Sequence, residues 1–514
     1  MSDRPIRDKL HSVFSPRRQR VFAVAVGILL QAAFFAVVFY SFKQYAIYAY
    51  WLSILVSALV SLHISTRKSR LAYKVAWIVP ILLLPFVGGM MYLILGGIRR
   101  PRGGMADCAG FYRENLPPGL TDAERRRYGP DCAQQIRYLE RAAQCPGYVG
   151  TEAQYFSMGE AFLPAFLREL EKAERYIFLE YFIIAEGSLW SEVLKLLIAK
   201  AQVGVDVRVL YDGMGSAVTL PSDYPAQLRE AGIRCEVFRP FRPVLSIHQN
   251  NRDHRKLCVI DGVAGFVGGL NLADEYVGRL ERFGVWKDNA VLLRGPAAWS
   301  LAVFFLAQWS DVTGEEVDAD DFLPRAVPVQ SGAGIAVPYV DTPLDEDTVC
   351  AGLYQQMIGK ATRYCYIMTP YLVIDETLSA ALTTAARSGV DVRIITPHVP
   401  DKKVVFAVTR SHYPELLEAG VKIYEFSPGF CHAKTIVADD LYASVGSCNL
   451  DYRSLYLQFE NGVWLCGGPA VEAVRWDFVT TLARCHLVTR EDCERARLPK
   501  RLLTALYRLF SPVF

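Results

Sequence analysis

Two copies of one short motif, His-x-Lys-x4-Asp, contain the residues of this sequence that are best suited to chemistry. The motif residues are His254, Lys256 and Asp261 in the first copy and His432, Lys434 and Asp439 in the second. A glycine-rich turn and an asparagine follow each copy, and Asn271 and Asn449 both lie 17 positions after the motif histidine. One such motif alone is weak evidence. Two copies in register, inside a wider repeat, are strong evidence for an active site.

The residue types of the motif favour transfer of a phosphoryl group. An imidazole can attack phosphorus, while a lysine and an asparagine amide hold the non-bridging oxygens. Two copies supply one histidine for attack and a second histidine for proton transfer. No carboxylate cluster of metal-binding type accompanies the motifs in the sequence, so we expect neither a metal ion nor another cofactor.

Strand geometry separates the roles within each motif. Residues i and i+2 project from the same face of a strand, so each histidine should point in the same direction as its lysine. Asp261 and Asp439 lie seven positions after their histidines, on the opposite face if the strand runs through. We therefore expect the two aspartates to order the motif rather than to touch substrate.

A second acidic pair follows from comparing the two copies further along the chain. Asp288-Asn-Ala-Val corresponds to Glu460-Asn-Gly-Val. An acid at the same point of both copies is predicted to accept a hydrogen bond from histidine Nδ1 and so fix the tautomer of the imidazole. The alternative is a surface acid at the start of a strand.

Both motifs lie inside a longer internal repeat that predicts the fold. Corresponding segments include Lys172-Ala-Glu-Arg-Tyr-Ile with Lys360-Ala-Thr-Arg-Tyr-Cys, and Gly204-Val-Asp-Val-Arg-Val with Gly389-Val-Asp-Val-Arg-Ile. Short β-branched or aromatic runs alternate with helical stretches in both copies, which is an α/β pattern. We expect two homologous α/β halves, at residues 149–325 and 326–499, after a connector at residues 101–148.

The first hundred residues predict an α-helical transmembrane region. About 20 apolar residues suffice to cross ~30 Å of hydrocarbon, and three runs qualify: Val21–Phe42, Tyr45–Ile64 and Val75–Ile98. Pro80 and Pro85 leave open whether the third run spans, kinks or re-enters. Basic residues on both sides of that run leave open which membrane face the rest of the chain occupies.

Composition and the C-terminal segment add three weaker expectations. A net charge of +3, from 56 basic and 53 acidic residues, argues against a protein that coats nucleic acid. Twelve cysteines without a C-x-x-C pair favour buried free thiols in a reducing compartment.

Residues 500–514 have leucines on one side and basic edges, which predicts an amphipathic helix, either in a lipid interface or packed on the catalytic part.

Around the motifs, from about residue 148 to residue 500, the sequence resembles the phospholipase D superfamily and, within it, the bacterial cardiolipin synthases. The stretches with this resemblance include HRKLCVIDGVAGFVGGLNLADEY, TPYLVIDETLSAAL and VGSCNLDYRSLYLQFEN. The resemblance implies two phospholipase-D-like halves packed as a pseudo-twofold pair around one active site, a phosphohistidine intermediate and no metal. This chain has three N-terminal apolar runs where that family usually has two.

The resemblance also implies a reaction. One histidine attacks the phosphorus of phosphatidylglycerol, glycerol leaves, and a second phosphatidylglycerol accepts the phosphatidyl group to give cardiolipin. The N-terminal motif usually supplies the nucleophile, which assigns attack to His254 and proton transfer to His432. The expected partners are phosphatidylglycerol and membrane lipids, with no nucleic acid and the oligomeric state open, in a multi-pass protein of the bacterial cytoplasmic membrane.

Three rival functions remain for comparison. A membrane phospholipase D would use the same residues with water as the acceptor and release phosphatidic acid, so the motifs alone do not separate it from a synthase. A nuclease is disfavoured by the apolar runs and the near-neutral charge. A non-enzymatic scaffold is disfavoured because every motif position is intact in both copies.

Overall fold

The computed structural model of the protein describes residues 16–41, 45–67, 70–95, 108–240, 250–332, 334–345, 347–494 and 498–510. The chain divides into two compact units. The first unit consists of Met1–Arg100, Phe241–Asn250 and Leu509–Phe514, and the second of Pro101–Pro240 and Asn251–Arg508.

Among its described residues, the first unit contains the helices α1 (Pro16–Ser41), α2 (Ala46–Thr66), α3 (Leu71–Leu83) and α4 (Pro85–Leu95). Within α2, Ile47–Thr66 is long and apolar enough to cross a membrane, and among the described residues it is the one stretch that meets both criteria. This helix supports the membrane association that the sequence predicts.

The third apolar run folds into a helical hairpin. The chain breaks at Leu84, between α3 and α4, and the rings of Trp77 and Tyr92 then meet at a centroid distance of 5.5 Å. A Cβ atom on Gly88 would lie 2.5 Å from the carbonyl oxygen of Pro80, so glycine permits the close approach of the two helices. With 13 and 11 residues, the helices are about 20 and 16 Å long. Neither helix alone covers the ~30 Å hydrocarbon layer.

The second unit begins with three short helices and a short strand: α5 (Cys108–Asn115), α6 (Asp122–Arg126), α7 (Pro130–Ala142) and β1 (Tyr148–Val149). Helix α7 buries Ile136 and Leu139 completely. The indole N–H of Trp464 donates to Gln135 of this helix at 2.8 Å. The described part of the predicted connector, from residue 108 onward, is therefore folded against the catalytic halves, with Trp464 of the second half and Trp299 of the first as contacts.

The first half is built on a seven-stranded sheet with the order β2-β9-β7-β6-β3-β4-β5. Its strands are β2 (Glu152–Phe156), β3 (Tyr176–Tyr181), β4 (Asp206–Asp212), β5 (Arg234–Phe238), β6 (Lys256–Ile260), β7 (Ala264–Gly268), β8 (Val285–Lys287), which lies outside the sheet, and β9 (Ala290–Arg294). Its helices are α8 (Gly159–Glu171), α9 (Ser188–Gln202), α10 (Tyr224–Glu230) and α11 (Ala298–Thr313).

The second half is built on a nine-stranded sheet with the order β1-β10-β19-β17-β16-β11-β13-β14-β20. Its strands are β10 (Ile335–Asp341), β11 (Tyr364–Met368), β12 (Leu372–Val373), β13 (Asp391–Pro397), β14 (Lys422–Phe426), β15 (Gly429–Cys431), β16 (Thr435–Ala438), β17 (Tyr442–Gly446), β18 (Leu450–Asp451), β19 (Glu460–Cys466) and β20 (Cys485–Leu487). Its helices are α12 (Val349–Lys360), α13 (Glu376–Arg387), α14 (Lys403–Ser411), α15 (Tyr413–Glu418), α16 (Tyr452–Tyr456), α17 (Pro469–Leu482), α18 (Arg490–Glu494) and α19 (Leu498–Phe510).

The two halves repeat one topology, which confirms the predicted α/β pair. In the first half β3 is parallel to β4 and antiparallel to β6. In the second half β11 is parallel to β13 and antiparallel to β16. Helix α11 packs against strands of both sheets, and its residues from Ala298 to Trp309 are all buried. This apolar helix therefore lies in the core between the two halves.

The C-terminal segment forms helix α19, beside α15. Arg508 lies 3.4 Å from the carboxylate of Glu415. Leu503 and Leu506 remain 48% and 50% exposed. Within the described residues, the helix therefore contacts the catalytic unit and also has an exposed apolar side, and its place in a lipid interface stays a prediction. Residues 511–514 lie outside the described part.

Candidate active site

Short pairings between the two halves position the motif histidines. The backbone N–H of His254 donates to the carbonyl of Phe459 at 2.9 Å, and that of Phe459 donates to the carbonyl of Arg252 at 2.9 Å. In the other half, β15 runs parallel to β8, and the N–H of His432 donates to the carbonyl of Lys287 at 2.6 Å. Each histidine is thus anchored to the residue that precedes an acid of the opposite half.

The result is a crossed pair of histidine–carboxylate contacts. Nδ1 of His254 lies 3.0 Å from both carboxylate oxygens of Glu460. Nδ1 of His432 lies 2.6 Å from Oδ2 of Asp288. Asp288 is ionised and only accepts hydrogen bonds, so Nδ1 of His432 has the proton and its Nε2 is left with a free lone pair. The same tautomer holds for His254 when Glu460 is ionised. The sequence predicted the two acids but not that each serves the histidine of the other half.

The two imidazoles are buried, with 7% of His254 and 8% of His432 exposed. Burial, followed by the charge of Lys434, lowers the pKa of His432 to about 4, although Asp288 acts in the opposite direction. Burial and the charges of Lys256, Lys434 and other cations hold the pKa of His254 well below its usual value. Both rings are therefore neutral in the empty site at neutral pH.

The two motif lysines lie beside their histidines. Nζ of Lys256 donates to the carbonyl of His254 at 2.5 Å. Nζ of Lys434 donates to the carbonyl of His432 and lies 2.8 Å from Nδ1 of that ring. Burial lowers the pKa of Lys256 to about 7 and that of Lys434 to about 8, with Glu460 and Asp288 opposing it. Both ammonium groups are thus close to titration near neutral pH.

The two supporting acids differ in their ionisation. Burial raises the pKa of Glu460 to about 7, in spite of Lys256 and a hydrogen bond from Ser447. Burial also opposes ionisation of Asp288, but the charge of Lys434 and the hydrogen bond from His432 outweigh it and lower the Asp288 pKa. The site is therefore symmetric in geometry but not in charge.

The motif aspartates lie in tight turns at the ends of the motif strands. Asp261 and Asp439 have φ angles of +51° and +57°, in the left-handed region that aspartate tolerates. Their carboxylates accept backbone N–H groups at the start of the neighbouring strand, from Glu174, Arg175 and Tyr176 in the first half and from Thr362, Arg363 and Tyr364 in the second. These bonds fasten the motif hairpin to β3 and β11.

Both motif asparagines are buried and engaged with protein groups. Asn271 accepts the N–H of Ile183 at 3.0 Å and donates to the hydroxyl of Tyr276 at 2.7 Å. Asn449 donates to Asp451 at 3.2 Å, while its Oδ1 has no hydrogen-bond partner within the described residues. Contact of these amides with a phosphate stays a prediction.

Sequence reasoning missed two residues that contact the supporting acids. The hydroxyl of Ser447 donates to Glu460. At the equivalent position of the first half stands Gly269, where a Cβ atom would lie 2.2 Å from Oδ1 of Asp288. A comparison of the two equivalent turns in the sequence could have found these residues. Gly268-Gly-Leu-Asn271 and Gly446-Ser-Cys-Asn449 differ at this position.

Two further cations, Lys402 and Arg453, were also missed. Their charges contribute to lowering the pKa of His254, so both lie near the site. In the described part of the chain, no group of three or more His, Cys, Asp or Glu side chains is arranged to hold a metal ion. The twelve cysteines are all free thiols.

Comparison with known proteins gives consistent matches. A family model described as "Cardiolipin synthase, PLD-like domain" matches residues 166–292 and 354–481, and one described as "Phospholipase_D-nuclease N-terminal" matches residues 51–97. A cardiolipin synthase of Geobacillus kaustophilus is 37% identical, over 88% of this chain and 91% of the relative. Cardiolipin synthase 2 of Bacillus cereus is 36% identical, over 85% of this chain and 86% of the relative.

The fold also matches a solved structure. The crystal structure of phosphatidylserine synthase from Haemophilus influenzae superposes with a TM-score of 0.57 at 14% identity. The match covers 75% of this chain and 100% of the other. At this level of identity the match concerns the fold alone.

Proposed function

The chain belongs to the cardiolipin synthase family, whose members have phospholipase-D-like domains, and from that premise we propose that it joins two phosphatidylglycerol molecules into cardiolipin and glycerol. The observation that supports this reaction most is the crossed pair of histidine–carboxylate contacts. It provides two imidazoles with free Nε2 atoms in one cleft, which is what a reaction through a covalent intermediate requires. The named relatives favour this synthase over a phospholipase D that transfers the same group to water.

In the first half-reaction, Nε2 of His254 attacks the phosphorus of phosphatidylglycerol. The bond between phosphorus and the glycerol oxygen breaks, and His432 gives the proton from its Nε2 to the departing glycerol. A phosphatidyl group bonded to Nε2 of His254 remains. The ionised carboxylate of Asp288 beside His432 supports this division of roles, because it stabilises the imidazolium that must form before attack, while the nucleophile must be neutral.

In the second half-reaction, the terminal hydroxyl of another phosphatidylglycerol enters in place of glycerol. His432 takes the hydroxyl proton, the oxygen attacks phosphorus, and the bond to Nε2 of His254 breaks. Cardiolipin leaves, and His432 is again protonated for the next cycle. The proton transfer by His432 in the second half-reaction is the reverse of its proton transfer in the first.

The remaining site residues stabilise charge or hold geometry in this proposal. Lys256 and Lys434 neutralise the phosphoryl oxygens as the five-coordinate transition state forms. Asn271 and Asn449 border the same oxygens. Glu460 and Asp288 orient the two imidazoles, and the motif aspartates Asp261 and Asp439 fix the hairpins on which the motifs stand.

The domain division proposed for this enzyme follows the repeat. The halves extend over residues 149–325 and 326–499, with residues 101–148 as connector, 1–100 as membrane region and 500–514 as C-terminal segment. The break near residue 325 is supported because α11, the last long helix of the first half, ends at Thr313 and β10 begins at Ile335.

The proposed location is the bacterial cytoplasmic membrane, with α1 and α2 crossing it and the α3–α4 hairpin entering and returning. A hairpin has both ends on one side. The basic residues before and after the third run, such as Arg67 and Arg99, are then on the same side, as the positive-inside rule requires. This arrangement leaves the catalytic halves in the cytoplasm, where free thiols persist.

The experiment that tests the function is product identification. Purified full-length protein is incubated with phosphatidylglycerol in detergent micelles, and lipids and released glycerol are quantified together. We expect one cardiolipin for each glycerol. Phosphatidic acid as the sole lipid product would refute the synthase and favour the phospholipase D.

A further inference from the structure

Arg453 is a cation that has no acidic partner among the described residues. It lies in the first turn of α16, four positions after Asn449. Within the described residues its guanidinium makes no hydrogen bond and has no carboxylate within 4.0 Å, and its Nε is buried without a partner. Burial lowers the pKa of Arg453, and Asp451 and Asp212 offset this effect only in part. The residue as a whole is partly exposed, but a cation whose Nε is buried without a partner is costly unless a ligand pairs with it.

A second cation lies near the same histidine. Nζ of Lys402 donates to the hydroxyl of Tyr371 at 3.1 Å and lies 3.8 Å from Asp401, and the side chain is 62% exposed. The charges of Lys402 and Arg453 both act on His254. The geometry agrees, because the ring of Tyr371 lies 6.5 Å from that of Phe430, which lies 5.7 Å from the imidazole of His432. The strand after Tyr371 pairs with Leu450–Asp451, just before Arg453. The two cations therefore extend the positive charge of the site beyond the two motif lysines.

Arg453 breaks the symmetry of the repeat. Alignment of Asn271 with Asn449 makes Glu275 the counterpart of Arg453, and Glu275 forms an ion pair with Arg282 at 3.2 Å. The unpaired cation thus exists on one side of the cleft only. A site that treats its two substrates differently requires such an asymmetry, since the motifs themselves are duplicated.

The proposed reaction brings two phosphodiester anions into one cleft. Lys256 and Lys434 face the donor phosphate that reacts. The acceptor has its own phosphate, separated from the attacking hydroxyl by the three carbons of one glycerol, so it must lie close to the first. We propose that Arg453, assisted by Lys402, binds the phosphate of the acceptor phosphatidylglycerol. This assignment rests on the proposed function and adds a subsite to it.

The test compares an anionic acceptor with a neutral one on the same donor. Full-length protein in detergent micelles is given phosphatidylglycerol and labelled glycerol. Cardiolipin formation needs the acceptor phosphate, whereas incorporation of labelled glycerol into phosphatidylglycerol reverses the first half-reaction and needs no second anion. Both products are measured for the wild type and for Arg453→Gln, Arg453→Lys, Lys402→Gln and, as a matched exposed control, Lys403→Gln.

We expect Arg453→Gln to lower cardiolipin formation by about tenfold or more, the loss typical of one charge-assisted hydrogen bond, while glycerol exchange is largely retained. Arg453→Lys should recover part of the loss. Lys402→Gln should act in the same direction by a few-fold, because its charge is exposed and screened, and Lys403→Gln should have no effect.

Two results would overturn the subsite. One is an equal loss of cardiolipin formation and glycerol exchange in Arg453→Gln, which would assign the guanidinium to the donor phosphate or to the fold. The other is unchanged cardiolipin formation in both Arg453→Gln and Lys402→Gln. If Arg453→Gln does not fold, the exposed Lys402→Gln decides alone. A wild type that exchanges glycerol but makes no cardiolipin would instead refute the proposed function.

Discussion

Replacement of Asp288 by Asn should slow one proton transfer and leave the nucleophile intact. Oδ2 of Asp288 lies 2.6 Å from Nδ1 of His432, and both groups are buried. A hydrogen bond to a charged group contributes about 1.5–3 kcal/mol, and about 1.4 kcal/mol corresponds to tenfold in rate. The expected loss of kcat is therefore about 10- to 150-fold. The negative charge of Asp288 also raises the pKa of His432, so the variant has less of the charged imidazole that glycerol departure needs.

The assay uses two donors that differ in their leaving group. Phosphatidylglycerol releases glycerol, which must be protonated as it leaves. Phosphatidyl-p-nitrophenol releases nitrophenolate, which is stable without a proton, so the first step no longer needs an acid. The burst of nitrophenolate in rapid mixing reports that step alone. Asp288→Asn should be slow with phosphatidylglycerol but close to wild type in the burst, whereas Glu460→Gln, which disturbs His254, should be slow with both donors.

The control is thermal stability, because an isosteric change in a buried hydrogen bond also affects folding. Both variants are compared by their melting temperature and their burst amplitude. Equal losses with the two donors in a stably folded Asp288→Asn protein would refute the assignment of proton transfer to His432. Full activity of Asp288→Asn with phosphatidylglycerol would refute a role for the carboxylate altogether.

Three further outcomes are expected. The ratio kcat/KM should fall as pH rises through about 7 to 8, because the free enzyme loses the charges of Lys256 and Lys434 in that range; a profile that stays flat there contradicts the role of the lysines. Activity should survive EDTA, since lysines rather than a divalent ion neutralise the phosphate, and a loss restored by added metal would contradict this. Gly269→Ala should reduce kcat, because its Cβ would lie 2.2 Å from Oδ1 of Asp288; wild-type turnover would show that the carboxylate position is not critical.

The repeat made most of the fold predictable. Two collinear copies of the same strand and helix pattern specify two α/β halves, and the motif spacing identifies the histidines and lysines. The repeat also identified Asp288 and Glu460 as equivalent. It did not specify that they act across the two halves, because the hydrogen bonds that determine this join His254 to Phe459 and His432 to Lys287, segments far apart in sequence.

Features present in only one half could not be identified by comparing the two copies. Arg453 has an acid, Glu275, at the equivalent position of the first copy, so the internal comparison did not single it out. In the third apolar run, Pro80 and Pro85 already argued against a straight transmembrane helix. Its hairpin depends on the contact of Trp77 with Tyr92 and on the close approach at Gly88, which are tertiary contacts that hydropathy does not report.

The central claim is that His254 receives the phosphatidyl group through Nε2, and covalent trapping tests it most directly. The full-length protein is mixed rapidly with phosphatidylglycerol labelled at phosphorus and quenched in alkali, because phosphohistidine is acid-labile. Peptides are then mapped, and the bonded nitrogen is identified by phosphorus NMR. Label on Nε2 in the peptide that contains His254 is predicted. Label on the peptide that contains His432, or turnover to cardiolipin without labelled protein at any time point, would contradict the account.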